Sequence, residues 1–171
     1  HVRLSDTGAR QVRWPDQEFF AIRSETSDFD LVVGLGVEPH LRWRGFSAAI
    51  AELLDRIDAK LVILLGAFLD EVIYSQPIQV IGGSTDPELV ARLELPASSY
   101  EGPTGIVGVL GDELQTAGVP TLSLWARLPH YVQEQPNTRA ALALLQRVEA
   151  VTGFPLDKSA LETAAATFDQ E

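Results

Sequence analysis

Asp30-Leu31-Val32-Val33-Gly34-Leu35-Gly36 and Lys60-Leu61-Val62-Ile63-Leu64-Leu65-Gly66 are two apolar runs separated by a segment of different period. Uninterrupted runs of this length suit strands covered on both faces. Between them Phe46, Ile50, Leu53, Leu54 and Ile57 recur at helical spacing, with Arg42, Arg44, Glu52, Asp55 and Arg56 mostly outside the stripe. A helix is therefore predicted from about residue 41 to 57. Strand, helix and strand in that order predict a βαβ unit with its strands parallel. A third run, Thr121-Leu122-Ser123-Leu124-Trp125-Ala126, is expected beside them and pointing the same way.

Before this unit, Gln11 to Trp14 and Glu18 to Arg23 read as a β-hairpin turned by Pro15-Asp16. After it, residues 66–85 are less regular, with an extended patch at Val72 to Tyr74 and a break at Gly82-Gly83. Asp86-Pro87 starts a short helix: the carboxylate caps free amides, and proline sits where its missing N–H costs nothing. Leu89, Val90 and Leu93 form its apolar side. Ile106, Val107, Leu110, Leu114 and Ala117 mark another helix, ended by Gly118. Two helices close the chain. Asn137 caps the first, over Ala141, Leu144, Leu145 and Val148; a capping box, Ser159 with Glu162, opens the second, over Leu161, Ala165 and Phe168. The fold class expected is α/β, with a mostly parallel central sheet, an N-terminal β-hairpin and a helical C-terminal extension. Residues 1–135 form the core domain and 136–171 the extension of the same domain.

Twenty-four acidic residues against 13 basic ones give a formal charge of −11, which repels nucleic acid and anionic lipid. No apolar run approaches the roughly 20 residues needed to cross a bilayer, and no secretory signal pattern is visible. A soluble, cytoplasmic protein is expected, with neither nucleic acid nor membrane as partner. With no cysteine, disulfides and thiolate metal sites are excluded. There is no methionine either, so His1 is not expected to be the natural first residue.

In open parallel sheets ligands bind at the carboxyl ends of the strands. Residues 36–44, 99–105 and 128–131 are expected to converge there, which makes Glu38, His40, Arg42, Tyr100, Glu101, Thr104, His130 and Tyr131 the candidate ligand-binding residues. Glu38 and Glu101 could do acid–base work or bind a cation, helped by His40 or His130, yet acids beside helix starts ordinarily satisfy free amides. Arg42 and Arg44 could hold an anion, or could pair with the surplus acids. The histidines lack close His or Cys companions, so no metal is expected. Gly34-Leu35-Gly36 fails the dinucleotide pattern because Pro39 stands where the third glycine belongs. No phosphate-loop Gly-Lys-Ser/Thr occurs, and neither Lys60 nor Lys158 falls at the crevice. Gly82-Gly83-Ser84-Thr85 has the look of an anion-binding turn but is commonly only a flexible one. Gly-x-Ser-x-Gly is absent, which removes the hydrolase nucleophile elbow. No catalytic residue is assigned and no cofactor is expected.

Several stretches together carry a family resemblance. They are Gly36-x-Glu38-Pro39-x-x-Arg42-Trp43-Arg44-x-Phe46, Leu64-x-Gly66-Ala67, Asp86-Pro87-Glu88-Leu89, Tyr100-Glu101-Gly102-Pro103-Thr104-Gly105 running on to Leu110, Ser123-Leu124-Trp125-Ala126 and Pro129-His130-Tyr131-Val132. They resemble the bacterial, high-GC branch of the proteasome assembly chaperone family and span most of the chain. The resemblance implies a three-layer sandwich similar to nucleoside phosphorylases, self-association as a trimer, and a protein partner such as a proteasome subunit. It also implies an earlier strand and helix, with an Asn-Asp-Ala-like turn, that this sequence starts after. An ATP-grasp ligase label attached to such proteins is disfavoured, since its lysines and glycine loop are not found. Two functions follow: a non-enzymatic, homo-oligomeric interaction or assembly factor, with Trp43, Tyr100 and Tyr131 as contact residues; or a small-molecule-binding protein or enzyme, ligase- or phosphorylase-like, using the crevice.

Overall fold

A strand must satisfy its backbone polar groups against a neighbour, so the ladders decide the architecture. The computed structural model describes residues 2–12, 14–25, 27–96, 100–131 and 136–168. The chain divides into two units, residues 1–40 and 41–171.

The first unit holds two antiparallel ribbons. β1 (Val2–Leu4) pairs with β2 (Arg10–Val12). Gly8, at φ +77°, makes the turn between them, and its N–H donates to the Ser5 carbonyl at 2.8 Å. β3 (Gln17–Ile22) pairs with β4 (Leu31–Gly36), from Gln17 opposite Gly36 to Ile22 opposite Leu31. The expected hairpin across Pro15-Asp16 is thus replaced by two others. The partners of 17–22 follow from small residues at alternate positions: Gly34 lies against the Phe19 ring, and a Cβ at Gly36 would overlap the Gln17 side chain. The parallel pairing expected for 30–36 is also corrected, because the ladder of β4 is antiparallel and to β3. Val32, Val33 and Leu35 are exposed rather than buried. An apolar run reports what a strand can bury, not which strand it pairs with.

The second unit contains α1 (Trp43–Arg56), β5 (Val62–Asp70), β6 (Val80–Ser84), α2 (Pro87–Leu93), α3 (Ile106–Thr116), β7 (Thr121–Pro129), α4 (Thr138–Thr152) and α5 (Ser159–Phe168). Its sheet has the order β5-β7-β6. β5 and β7 run parallel, as expected, from Val62 opposite Thr121 to Asp70 opposite Pro129. β6 is antiparallel to β7, so the sheet is mixed and not mostly parallel. Residues 71–79 contain no helix, and the chain simply turns back after β5. The Gly82-Gly83 segment is strand rather than a glycine turn. Gly82 is required there because a Cβ would meet the Ser123 carbonyl of the neighbouring strand.

Leu122, Leu124 and Ala126 project from one face of β7 and pack with Val80, Leu89, Leu93, Ala140, Leu144 and Val148. The alternate residues face α3, where Gly111 lets the helix approach Leu64 and Ser123. Helices therefore cover both faces of this sheet. Asp86 caps α2 through bonds from the Glu88 and Leu89 amides at 2.9 and 3.4 Å. Asn137 caps α4 through the Ala140 amide at 2.9 Å. The box expected at Ser159 is displaced: the Asp157 carboxylate accepts the Ser159 amide and hydroxyl at 3.0 and 2.6 Å, a charged acceptor outcompeting a hydroxyl. α5 buries Ala165 as expected; the side chain of Phe168 lies outside the described residues.

Candidate functional site

The parallel register brings the carboxyl ends of β5 and β7 to one rim, Asp70 opposite Pro129. The connection from Glu71 to Gln79 leaves this rim and is held by side chains from three places. Arg127 on β7 holds its two ends. Its Nε donates to Asp70 Oδ2 at 2.6 Å, its Nη1 to Gln79 Oε1 at 2.5 Å and its backbone N–H to the Gln79 carbonyl at 3.0 Å. The Arg127 bond, and next the Glu71 amide at 2.7 Å, hold the Asp70 carboxyl below its ordinary pKa. Tyr131, just past β7, holds the middle. Its hydroxyl accepts the Tyr74 N–H at 2.8 Å and donates to the Val72 carbonyl at 3.4 Å. Arg139, in the first turn of α4, donates to the carbonyls of Tyr74 and Gln76 at 2.8 and 3.0 Å, and its guanidinium lies 4.8 Å from the Tyr74 ring centroid. This is a cation–π contact reinforced by hydrogen bonds.

These polar groups are spent on the loop. A cavity of about 20 Å³ beneath it, lined in part by Val72, Gln79, Arg127 and Pro129, has room for about one water. The rim instead shows apolar side chains: Leu69 is 64%, Ile73 60% and Tyr131 55% exposed. A braced loop with an apolar tip can press against a partner surface at little entropic cost.

Of the eight residues expected to gather, two belong to the first unit and six to the second. Glu38 and His40 follow β4 and are exposed. Arg42 occupies the N-cap of α1 in the left-handed region, φ 58°, without a side-chain cap bond. His130 and Tyr131 are brought together, edge to face with centroids 5.4 Å apart. Tyr100 and Thr104 shape the loop before α3. The Tyr100 hydroxyl donates to the Pro103 carbonyl at 2.9 Å beside Gly102, and Thr104 Oγ1 fills the space a side chain at Gly108 would take. Glu101 is exposed in that loop. Among the described residues no group of three or more His, Asp or Glu could hold a metal.

Asp70, Tyr74, Gln79, Arg127 and Arg139 escaped the sequence reading. Arg127, the one charged residue in β7, was the available signal, but its partner becomes visible only with the β5–β7 register.

The model of the PAC2 family matches residues 1–171. No curated protein matches the sequence. Among solved structures, a PAC2 family protein from Streptomyces avermitilis is 37% identical with a TM-score of 0.88, over 98% of this chain and 72% of that one. A proteasome-assembly chaperone homologue from Mycobacterium tuberculosis is 34% identical with a TM-score of 0.87, over 99% and 72%. PbaB, an archaeal proteasome activator from Pyrococcus furiosus, is 18% identical with a TM-score of 0.75, over 99% and 74%, a likeness of fold alone.

Proposed function

This chain belongs to the PAC2 family, and from that premise we propose that it works as a non-enzymatic, homo-oligomeric interaction or assembly factor whose partner is a proteasome subunit. A relative at 34% identity is a proteasome-assembly chaperone homologue, which supports the choice of partner. One observation carries the interaction reading: the connection 71–79 is braced from Arg127, Tyr131 and Arg139 while Leu69, Ile73 and Tyr131 stay exposed around it. Aromatic side chains such as Tyr131, held rigidly at a surface among apolar neighbours, are a common energetic centre of protein interfaces. In this reading the function is docking, and the small cavity under the loop takes no ligand.

The test is binding of the purified protein to purified proteasome subunits. Ile73→Ser removes an exposed contact without touching any brace, and it should weaken the complex about ten-fold or more. Tyr131→Phe keeps the ring and drops the hydroxyl, so it should weaken binding less. Undiminished binding by Ile73→Ser sinks this surface, and a complete lack of binding by the parent protein sinks the choice of partner. Sedimentation of the parent protein as a trimer is the expected oligomeric state, with a monomer at micromolar concentration the contrary result.

A further inference from the structure

In the first unit, cross-strand pairs place Glu18, Phe20 and Ile22 with Leu35, Val33 and Leu31 on one face of the β3–β4 ribbon. Apart from Glu18 that face is apolar, and Phe20, Ile22, Val33 and Leu35 are exposed on it. At its Glu18 end a cavity of about 560 Å³ opens, lined by Arg3, Trp14, Asp16 and Glu18 with Val2 and Val37 among its apolar walls. The wall is fixed in place: Gln17 Nε2 donates to the Val37 carbonyl at 2.8 Å, and the Gln17 side chain crosses Gly36 where no other residue leaves space. The side chains of Arg3, Asp16 and Glu18 make no hydrogen bond or ion pair among the described residues.

We propose that this cleft and the apolar face beside it receive an extended segment of another protein bearing an arginine or lysine next to apolar side chains. An indole face attracts a cation, and carboxylates bind guanidinium or ammonium through charge-assisted hydrogen bonds. Among the described lining residues two carboxylates stand against one guanidinium. The formal charge of −11 on the chain steers such a partner inward. Trp14 is 77% exposed at a wide mouth, a shape suited to a side chain delivered by a polypeptide rather than to an enclosed small molecule. The inference stands apart from the proteasome reading, because it rests only on the cleft and its face.

Two dye-labelled peptide amides test it by fluorescence anisotropy, one with the core Arg-Leu-Val-Leu and the other with Glu in place of Arg. The basic peptide should bind about five-fold tighter or more, and the preference should shrink as salt is added. In the double variant Asp16→Asn, Glu18→Gln the two affinities should converge, while Trp14→Ala should weaken the basic peptide about three-fold. Far-UV circular dichroism checks that the variants, all at exposed positions, keep the fold. Any one of four results overturns the proposal: equal affinities in the parent protein, a preference unchanged by the double variant, binding of neither peptide at millimolar concentration, or arginine amide alone competing as well as the basic peptide.

Discussion

The connection 71–79 in the second unit and the ribbon of β3 and β4 in the first are both exposed, but their polar groups are treated in opposite ways. Around the connection, carbonyls, amides and carboxylate are taken up by Arg127, Tyr131 and Arg139. Beside the ribbon, the side chains of Arg3, Asp16 and Glu18 line a cavity and make no hydrogen bond or ion pair among the described residues. Exposure by itself therefore says little about function. Where polar side chains are consumed internally, what is offered to a partner is shape and apolar area; where they are left open, charge is offered too.

Core substitutions should separate the units most sharply. Leu124 is fully buried on β7, so Leu124→Ala should cost about 2–5 kcal/mol, whereas Phe20→Ala on the exposed ribbon should cost under about 1 kcal/mol. Urea unfolding of each variant compares them, and equal losses would mean that the ribbon face is covered in solution. Gly82→Ala forces a methyl group against the Ser123 carbonyl and should cost about 1–3 kcal/mol, read as a lower thermal midpoint. Arg139→Met removes two hydrogen bonds and the stacking on Tyr74. It should cost about 1–2 kcal/mol, with faster hydrogen exchange confined to residues 71–79; no change in that exchange would mean that Arg139 is not a brace.

The smallest effect is a pH dependence. Glu149 accepts bonds from Lys158 Nζ and from the Leu156 amide at 3.2 Å, and these hold its carboxyl below the ordinary value, the Lys158 bond most of all. A lowered folded-state pKa means that the stabilisation is complete above the ordinary carboxylate value and is lost as pH falls through the lowered one. In Glu149→Gln the acid limb of stability against pH should flatten slightly. Urea midpoints between neutral and strongly acidic pH measure this, and an identical limb in the two proteins would count against it.

Local signals were legible at several helix ends, though not at Ser159, where Asp157 takes the capping role. Asp86-Pro87 and Asn137 announced their helices, and Gly118, expected to end its helix, sits in the left-handed region just past α3. Pairing was less legible, because it depends on residues far apart in sequence. The runs 31–36 and 62–70 look alike, yet one forms an antiparallel ribbon and the other a parallel ladder with β7. Among the site residues, Tyr131 was found through its place after a strand, but its role as a brace needed the position of Tyr74. Arg127 and Asp70 stayed hidden for the same reason, being 57 residues apart and joined only by register.

The sheet of the second unit has its last strand in sequence at its centre, since β7 separates β5 from β6. As the polypeptide emerges from the ribosome, neither earlier strand has its hydrogen-bonding neighbour until residues 121–129 arrive. Until then the nascent chain carries two greasy, unzipped edges, and a mishap in that interval is more dangerous to it than one after release.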